Sequence, residues 1–195
     1  DFDMGGYEQK EVNINADFSY ALNDSLNLAF GGEWREETFT TIAGETAATT
    51  GAGPSGMSAV SPADAGSFDR NNWAVYADIE HDISDAFMLQ YALRYENFSD
   101  FGGTLNGKIA GRYSLTDNFR VRGAFSTGFH APTPGQGNIS TIITTFDGAT
   151  GLQVEEGLIP ATSADAVSAG GQALKEEKSI NYSLGFSGDL GEATT

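Results

Sequence analysis

The sequence Phe119-Arg-Val-Arg-Gly-Ala-Phe-Ser-Thr-Gly-Phe-His-Ala-Pro-Thr-Pro134 decides the fold class, because strict two-residue alternation runs directly into a proline-rich loop. Successive side chains of a strand point to opposite faces of its sheet. One face is therefore mostly apolar and the other mostly polar: Phe119, Val121, Phe125 and Phe129 against Arg120, Arg122, Ser126 and His130. The pattern predicts a long strand that leaves a sheet at a defined edge, with one face suited to apolar surroundings and one to water.

The same alternation appears in six other segments and predicts an all-β, antiparallel, up-and-down sheet formed by one continuous segment, residues 1–195. The strands are expected near 11–22, 26–40, 72–83, 87–97, 105–115, 119–130 and 178–188. Short turns that carry Asp join them at one end, as in Asn23-Asp24-Ser25. Long loops rich in Gly, Ala, Ser and Thr, at 42–70 and 131–177, lie at the other end. One short helix is expected within 161–174.

Composition excludes several classes of partner. The chain has 27 acidic and 10 basic residues and a formal charge of −17, which argues against nucleic acid or an anionic membrane surface as its partner. It has no cysteine, so disulfides and thiolate metal sites are excluded. No apolar run is long enough for a membrane-spanning helix, so any membrane crossing would use strands.

Strand length and aromatic placement distinguish a membrane barrel from a soluble sheet, which shows the same alternation. Soluble strands usually have about five or six residues, whereas a tilted strand needs about nine to eleven to cross a bilayer. The predicted strands have that longer length. Aromatic residues also lie near both strand ends, with Phe87 and Phe119 by the short turns and Trp34, Tyr95 and Phe129 towards the long loops. We therefore favour an outer-membrane barrel; a small complete barrel and a soluble carbohydrate-binding β-sandwich are the alternatives.

The segment Arg122-Gly-Ala-Phe-Ser-Thr-Gly-Phe-His-Ala-Pro132 resembles a strand and loop of TonB-dependent outer-membrane receptors, in which Ser-x-Gly-Phe-Arg-Ala-Pro is a familiar run. His130 stands where that family usually has Arg. Three more segments are similar to the family, in family order: 30–37, 73–81 and Glu177-Lys-Ser-Ile-Asn-Tyr-Ser-Leu-Gly-Phe186. Each is a degenerate pattern, so the set is more specific than any one member.

The resemblance implies active uptake of a scarce nutrient, such as a ferric siderophore, a cobalamin or an oligosaccharide, across the Gram-negative outer membrane. Such receptors have a barrel of about 22 strands with a plugged lumen, and an inner-membrane TonB complex drives them. We find neither a plug domain nor a TonB-contacting box in this sequence. We therefore expect a barrel fragment that contacts outer-membrane lipid, is not transport-competent alone, and self-associates through its open strand edges.

The predicted binding residues are basic and lie on the polar face of three consecutive strands. They are Arg94, Lys108, Arg112, Arg120 and Arg122. In a complete receptor we expect them to contact acidic groups of the plug domain or an anionic ligand. His130, at the base of the long loop, is a second candidate contact. Catalysis needs a positioned base and nucleophile or a metal, and we predict no catalytic residue, cofactor or metal site and hence no enzyme.

Overall fold

The computed structural model describes residues 1–51, 53 and 56–188. Nine strands lie in that part of the chain: β1 Gly5–Asn23, β2 Leu26–Ala43, β3 Gly66–Ser84, β4 Phe87–Phe98, β5 Gly102–Thr116, β6 Phe119–His130, β7 Thr141–Phe146, β8 Gln153–Leu158 and β9 Glu177–Gly188. Two five-residue helices, α1 Pro134–Asn138 and α2 Ala164–Ser168, and a 3-10 turn at Thr46–Thr49 complete the elements of the described residues. None of these helices has the length and hydropathy that a membrane crossing needs.

Seven of the strands form one sheet in the order β1-β2-β3-β4-β5-β6-β9. The pairs β3–β4, β4–β5, β5–β6 and β6–β9 are all antiparallel. This confirms the predicted all-β, up-and-down sheet. In the described part of the chain β1 and β9 are the outermost strands, so each has one hydrogen-bonded neighbour. Self-association through these edges remains a prediction.

The short connections are two-residue turns that polar side chains support. They are Asp24-Ser25, Asp85-Ala86 and Asp117-Asn118. Asn23 Oδ1 accepts a hydrogen bond from the backbone N–H of Ser25 at 2.9 Å, which is a local turn-forming contact. The opposite end of the strands carries the long connections 44–65 and 131–176 and one short turn at 99–101.

The strands extend further towards the long connections than the alternation predicts. β1 begins at Gly5 rather than near 11, and β3 begins at Gly66 rather than near 72. Side-chain hydrogen bonds between β2 and β3 accompany the extension of β3: Thr38 Oγ1 donates to Asp69 Oδ1 at 2.7 Å, and the Gly66 N–H donates to Thr41 Oγ1 at 2.9 Å. Thr and Asp side chains do not form an alternating apolar pattern. A prediction based on hydrophobicity therefore does not include this part of the strand.

The segment predicted as a loop at 131–177 contains secondary structure of its own. β7 and β8 pair as an antiparallel hairpin, separate from the large sheet. A capping box begins α1, since Gln136 N–H donates to Thr133 Oγ1 and the Gln136 side chain accepts from the Thr133 N–H. The second helix, α2, lies within the predicted range 161–174.

The chain divides into two compact units. The loop unit is Asp1–Val12, Glu36–Asn71 and Pro132–Lys175, and the wall unit is Asn13–Arg35, Asn72–Ala131 and Glu176–Thr195. Phe39, Ala59 and Val60 are buried in the loop unit, where the Tyr7 ring stacks on Phe39 at 5.9 Å between centroids. A small aromatic cluster in the wall unit places the Phe98 ring 4.5 Å from Phe101.

In the wall unit the apolar face is exposed and polar-face residues of β3 are buried, which is the reverse of the arrangement in a soluble protein. Asn72 and Ala74 on the polar face of β3 are 1% and 2% exposed, whereas their apolar-face neighbours Trp73 and Val75 are 46% and 50% exposed. In β9, Leu184 is 84% exposed. A soluble β-sandwich buries its apolar face against a second sheet. Among the described residues no second sheet buries this apolar face, so the structure does not fit the soluble β-sandwich alternative.

Asp147 organises the turn of the β7–β8 hairpin. The Thr150 hydroxyl, the Thr150 N–H and the Ala149 N–H donate to its carboxylate, and they lower the pKa of Asp147. The contribution of these bonds is therefore present above the ordinary Asp pKa of about 3.9 and is lost as the pH falls through the lower folded value.

At pH 7 we expect Asp147→Ala to speed amide hydrogen exchange at 147–151, because the acceptor is removed. Asp147→Asn keeps an oxygen at that position and should exchange more slowly than the alanine variant. Exchange measured by mass spectrometry tests this. Identical rates in both variants and in the unmodified protein would show that the turn does not depend on Asp147.

Candidate functional site

The strand register brings all five predicted basic residues to one face of the wall unit. Arg94 lies opposite Tyr76 and Asn106, and Lys108 lies opposite Ala92 and Ser126. Nearer the short turns, Arg112 and Arg122 are direct cross-strand partners. Arg120 is the partner of Ser114 and Ser187. The face is shared, but the surroundings of the five residues differ.

Arg94 is the centre of an ion-pair network. Its Nη2 lies 2.8 Å from Glu33 Oε2, and its Nε lies 2.5 Å from Glu96 Oε1. Glu33 Oε1 also accepts hydrogen bonds from Arg35 at 3.1 Å and from Asn13 at 3.0 Å. Arg94 is therefore neutralised by two carboxylates of its own chain, and its role in the described residues is structural.

Lys108 belongs to a chain of polar contacts that ends on a carboxylate. Its Nζ donates to Gln90 Oε1 at 2.9 Å, and Gln90 Nε2 donates to Asp78 Oδ2 at 2.8 Å. A hollow of about 440 Å³ adjoins these residues and is also lined by Tyr76. Tyr76 Oη donates to Asp17 Oδ1 at 2.7 Å, which fixes the ring of Tyr76.

Arg112, Arg120 and Arg122 form no ion pair or hydrogen bond with any residue that the structure describes. Arg112 and Arg122 face each other directly, and like charges in that position repel. A hollow of about 320 Å³ is lined by Lys108, Arg112 and Arg122 and by the small residues Ala110, Ala124 and Ser183. We name it the basic hollow; Arg120 is not in its lining. Its positive potential suits a carboxylate or another anionic group.

Glycine shapes the wall beside the basic hollow. Gly185 is the cross-strand partner of Arg122, and a Cβ at Gly185 would lie 3.0 Å from Arg122 Nε. The Arg122 side chain therefore lies across the backbone of β9. An alanine at 185 would press against the guanidinium stem, so this glycine supports the position of a cation.

His130 lies at the end of β6 opposite Glu177 and is exposed. The other histidine, His81, lies opposite Leu89 on the apolar face. In the described ranges no group of three or more His, Cys, Asp or Glu side chains is placed to hold a metal ion.

Sequence reasoning missed the carboxylates that pair with Arg94. Glu33 is distant in sequence from Arg94. The alternation in β2 predicts that Glu33 lies on the polar face, but whether it contacts Arg94 depends on the order of strands in the sheet. Alternation reports which face a residue occupies, whereas the neighbour across the sheet is a property of the fold.

A family model for TonB dependent receptor-like β-barrels matches residues 2–194. The chain belongs to this family. The family consists of receptor and transport proteins rather than enzymes, and its barrels lie in the outer membrane of Gram-negative bacteria. The predicted family and localisation are confirmed. No curated protein has a significantly similar sequence.

Solved structures of TonB-dependent receptors share the fold. The chain is 19% identical to the siderophore receptor PirA from Pseudomonas aeruginosa, with a TM-score of 0.67 over 95% of this chain and 30% of that one. It is 17% identical to a mutant of the ferric enterobactin receptor PfeA from Pseudomonas aeruginosa, with a TM-score of 0.67 over 95% of this chain and 25% of that one. It is 18% identical to the siderophore receptor PirA from Acinetobacter baumannii, with a TM-score of 0.62 over 95% of this chain and 25% of that one. The chain thus spans about a quarter to a third of the length of these receptors.

We expect Arg94→Met to lower the free energy of unfolding by about 1–3 kcal/mol, because it removes the cation that pairs with Glu96 and one of the two arginines that pair with Glu33. Arg112→Met is the matched control, since it removes a cation that faces another cation. It should be neutral or slightly stabilising. Urea unfolding in lipid vesicles measures both, and equal destabilisation by the two variants would contradict the assignment.

Proposed function

We propose that the chain forms part of the barrel wall of a TonB-dependent receptor that actively takes up a scarce nutrient across the outer membrane. The observation that carries the proposal is the family match over residues 2–194. The two-faced wall supports it, because an exposed apolar face suits lipid and a charged face suits a wet lumen. Ferric siderophores are the first nutrient class to test, ahead of cobalamin and oligosaccharides, since the similar structures are siderophore receptors.

The outermost strands β1 and β9 need further partners in the membrane, because hydrocarbon does not tolerate unpaired backbone groups. In a complete receptor additional strands would supply them. Alone, the chain would pair with other copies and would not transport. Transport therefore requires the rest of a receptor, including a plug domain and contact with the TonB complex.

The basic hollow is best explained as a contact for acidic groups of the plug domain. Arg112, Arg120 and Arg122 lie within a few residues of the Asp117-Asn118 turn, and short turns of outer-membrane barrels face the periplasm. A ligand that arrives from outside meets the long-loop end first. His130 lies at that end and is the better candidate for a ligand contact.

Uptake of ⁵⁵Fe as a ferric siderophore tests the proposed function. Cells that express the receptor carrying this chain should accumulate iron, and deletion of tonB should abolish the accumulation. Cells with an intact tonB and no receptor provide the control. Equal uptake with and without TonB would contradict the proposal.

The lipid-facing assignment predicts losses of different size for two positions in β9. Leu184→Arg should destabilise the folded receptor in vesicles by about 2–4 kcal/mol, the cost of a cation near the bilayer midplane. Asn181 lies on the polar face opposite Ser126, so Asn181→Arg should cost much less. Denaturant unfolding of both variants compares them. A larger loss for Asn181→Arg would reverse the two faces.

A further inference from the structure

The pairing of β5 with β6 stops before either strand ends. At the end that carries the long connections, the register of partners ends at Lys108↔Ser126. Both strands extend beyond that pair, through 102–107 of β5 and 127–130 of β6. These two segments belong to neighbouring strands, yet their residues are not partners of one another. We name this boundary between 102–107 and 127–130 the seam.

Fraying of the strand ends does not explain the seam, because both strands remain paired on their other sides. The β4–β5 register continues to Phe98↔Gly102, and the β6–β9 register continues to His130↔Glu177. The sheet is therefore regular on each side of the seam and interrupted only between the two sides. The interruption separates the ends of β6 and β9 from the end of β5.

Side chains, rather than a regular backbone ladder, connect the two sides of the seam. Continuation of the register would place Gly107 opposite Thr127, but the Gly107 N–H donates to the side chain of that residue, Thr127 Oγ1, at 3.0 Å. The Phe129 ring lies edge-on to Phe98 of β4, with 5.8 Å between the ring centroids. Each contact depends on a single side-chain rotamer. Separation of a regular ladder, in contrast, requires several backbone hydrogen bonds to break together.

Packing is open on both faces of the sheet at the seam. A hollow of about 440 Å³ on the polar face and one of about 440 Å³ on the apolar face both reach Gly107 and Thr127. Gly107 adds no side chain to either hollow, and Leu105 and Phe125 line the apolar one. Close-packed interiors resist displacement because side chains interlock. The strands beside the seam are free of that restriction on both faces.

The position of the seam allows separation of the strands in a membrane. A barrel strand needs about nine to eleven residues to cross the bilayer, and β6 and β9 have 12 residues each. The long connections of outer-membrane barrels face the outside, so the seam lies near the outer interface. Water at that interface pairs with backbone groups that would be costly to expose in hydrocarbon.

We propose that the seam is a hinge of the barrel wall. Towards the short turns the β5–β6 ladder stays closed, and beyond Lys108↔Ser126 the ends of β6 and β9 move away from β5 as one two-stranded unit. The movement displaces both ends of the connection 131–176, since that connection joins β6 to β9. Thr127 holds the hinge closed. The hinge is a property of the wall and does not depend on which nutrient the receptor takes up.

Residue-resolved amide hydrogen exchange of the receptor carrying this chain distinguishes a hinge from fraying. Alternate residues of a strand direct their N–H groups to opposite neighbours. Leu105 therefore shares the direction of Gly107, towards β6, whereas Thr104 and Asn106 face β4. A hinge predicts exchange about tenfold or more faster at Leu105 than at Thr104 and Asn106. Equal rates at the three amides would indicate fraying and overturn the proposal.

Thr127→Val tests the residue that holds the hinge closed. Valine keeps the β-branched shape and removes the hydroxyl that accepts from the Gly107 N–H. Exchange at Gly107 and Leu105 should rise about three- to tenfold, as loss of one hydrogen bond implies, while exchange within 109–116 stays unchanged and shows that the wall is folded. Ser126→Ala is the matched control, because it removes a hydroxyl from the last paired position of β6. An equal rise in both variants, or none in Thr127→Val, contradicts the role of Thr127.

A disulfide across the seam tests the movement itself. Continuation of the register places Asn106 opposite Gly128, and the chain has no other cysteine. The oxidised Asn106→Cys, Gly128→Cys variant should slow exchange at Leu105 to the rate of Thr104, and dithiothreitol should restore the fast rate. The matched control is a disulfide between Ala110→Cys and Ala124→Cys, which are partners in the closed ladder, and it should leave Leu105 unchanged. Fast exchange at Leu105 in the oxidised seam variant, or failure of that variant to oxidise, overturns the hinge.

Discussion

Hydrogen bonding between neighbouring antiparallel strands is the constraint on which the rest of this structure depends. In hydrocarbon each backbone N–H and C=O needs a partner within the protein, so every strand needs a neighbour on each side. Short turns make successive strands those neighbours. β1 to β6 obey this order, and β9 continues it after the whole excursion 131–176. The register of β4, β5 and β6 then keeps one face charged and the other apolar without interruption.

Charges on the polar face fall into two classes that the same alternation cannot separate. Arg94 lies between Glu33 and Glu96, so its desolvation is offset by two ion pairs within the wall. Arg112 and Arg122 face each other with no such compensation in the described residues. A repulsive pair destabilises the wall. The proposed contact with acidic groups of the plug domain would offset this repulsion.

Much of the wall was predictable because a period of two is a local property. The alternation at 119–130 assigned every residue of β6 to its face, and the Asp-containing turns marked one end of the sheet. The pairing of Arg94 with Glu33 was not predictable, since Glu33 becomes its neighbour only through strand order and register, whereas Glu96 lies two residues further along β4 on the same face. The β7–β8 hairpin and the early start of β3 rest on Thr, Ser and Glu side chains that show no apolar period. The hollow lined by Asp64, Ser140 and Asp165 forms where three distant segments of the chain meet, so no single stretch of sequence predicts it.

The fold of this chain is compatible with very different sequences. At 17–19% identity the TM-scores over 94–95% of the chain are still 0.61–0.67, so the fold tolerates replacement of most side chains. The wall is the regular part of that fold. It needs apolar residues on one face, polar residues on the other and turn-forming residues at one end, and many sequences meet those conditions. A binding cavity needs particular groups at particular distances. The long connections 44–65 and 131–176 can change their charge without breaking a strand pair of the large sheet, because they lie between strands whose hydrogen bonds are already made. If the chain has the proposed uptake function, the long connections are therefore the part in which ligand specificity could change at the least cost to the fold.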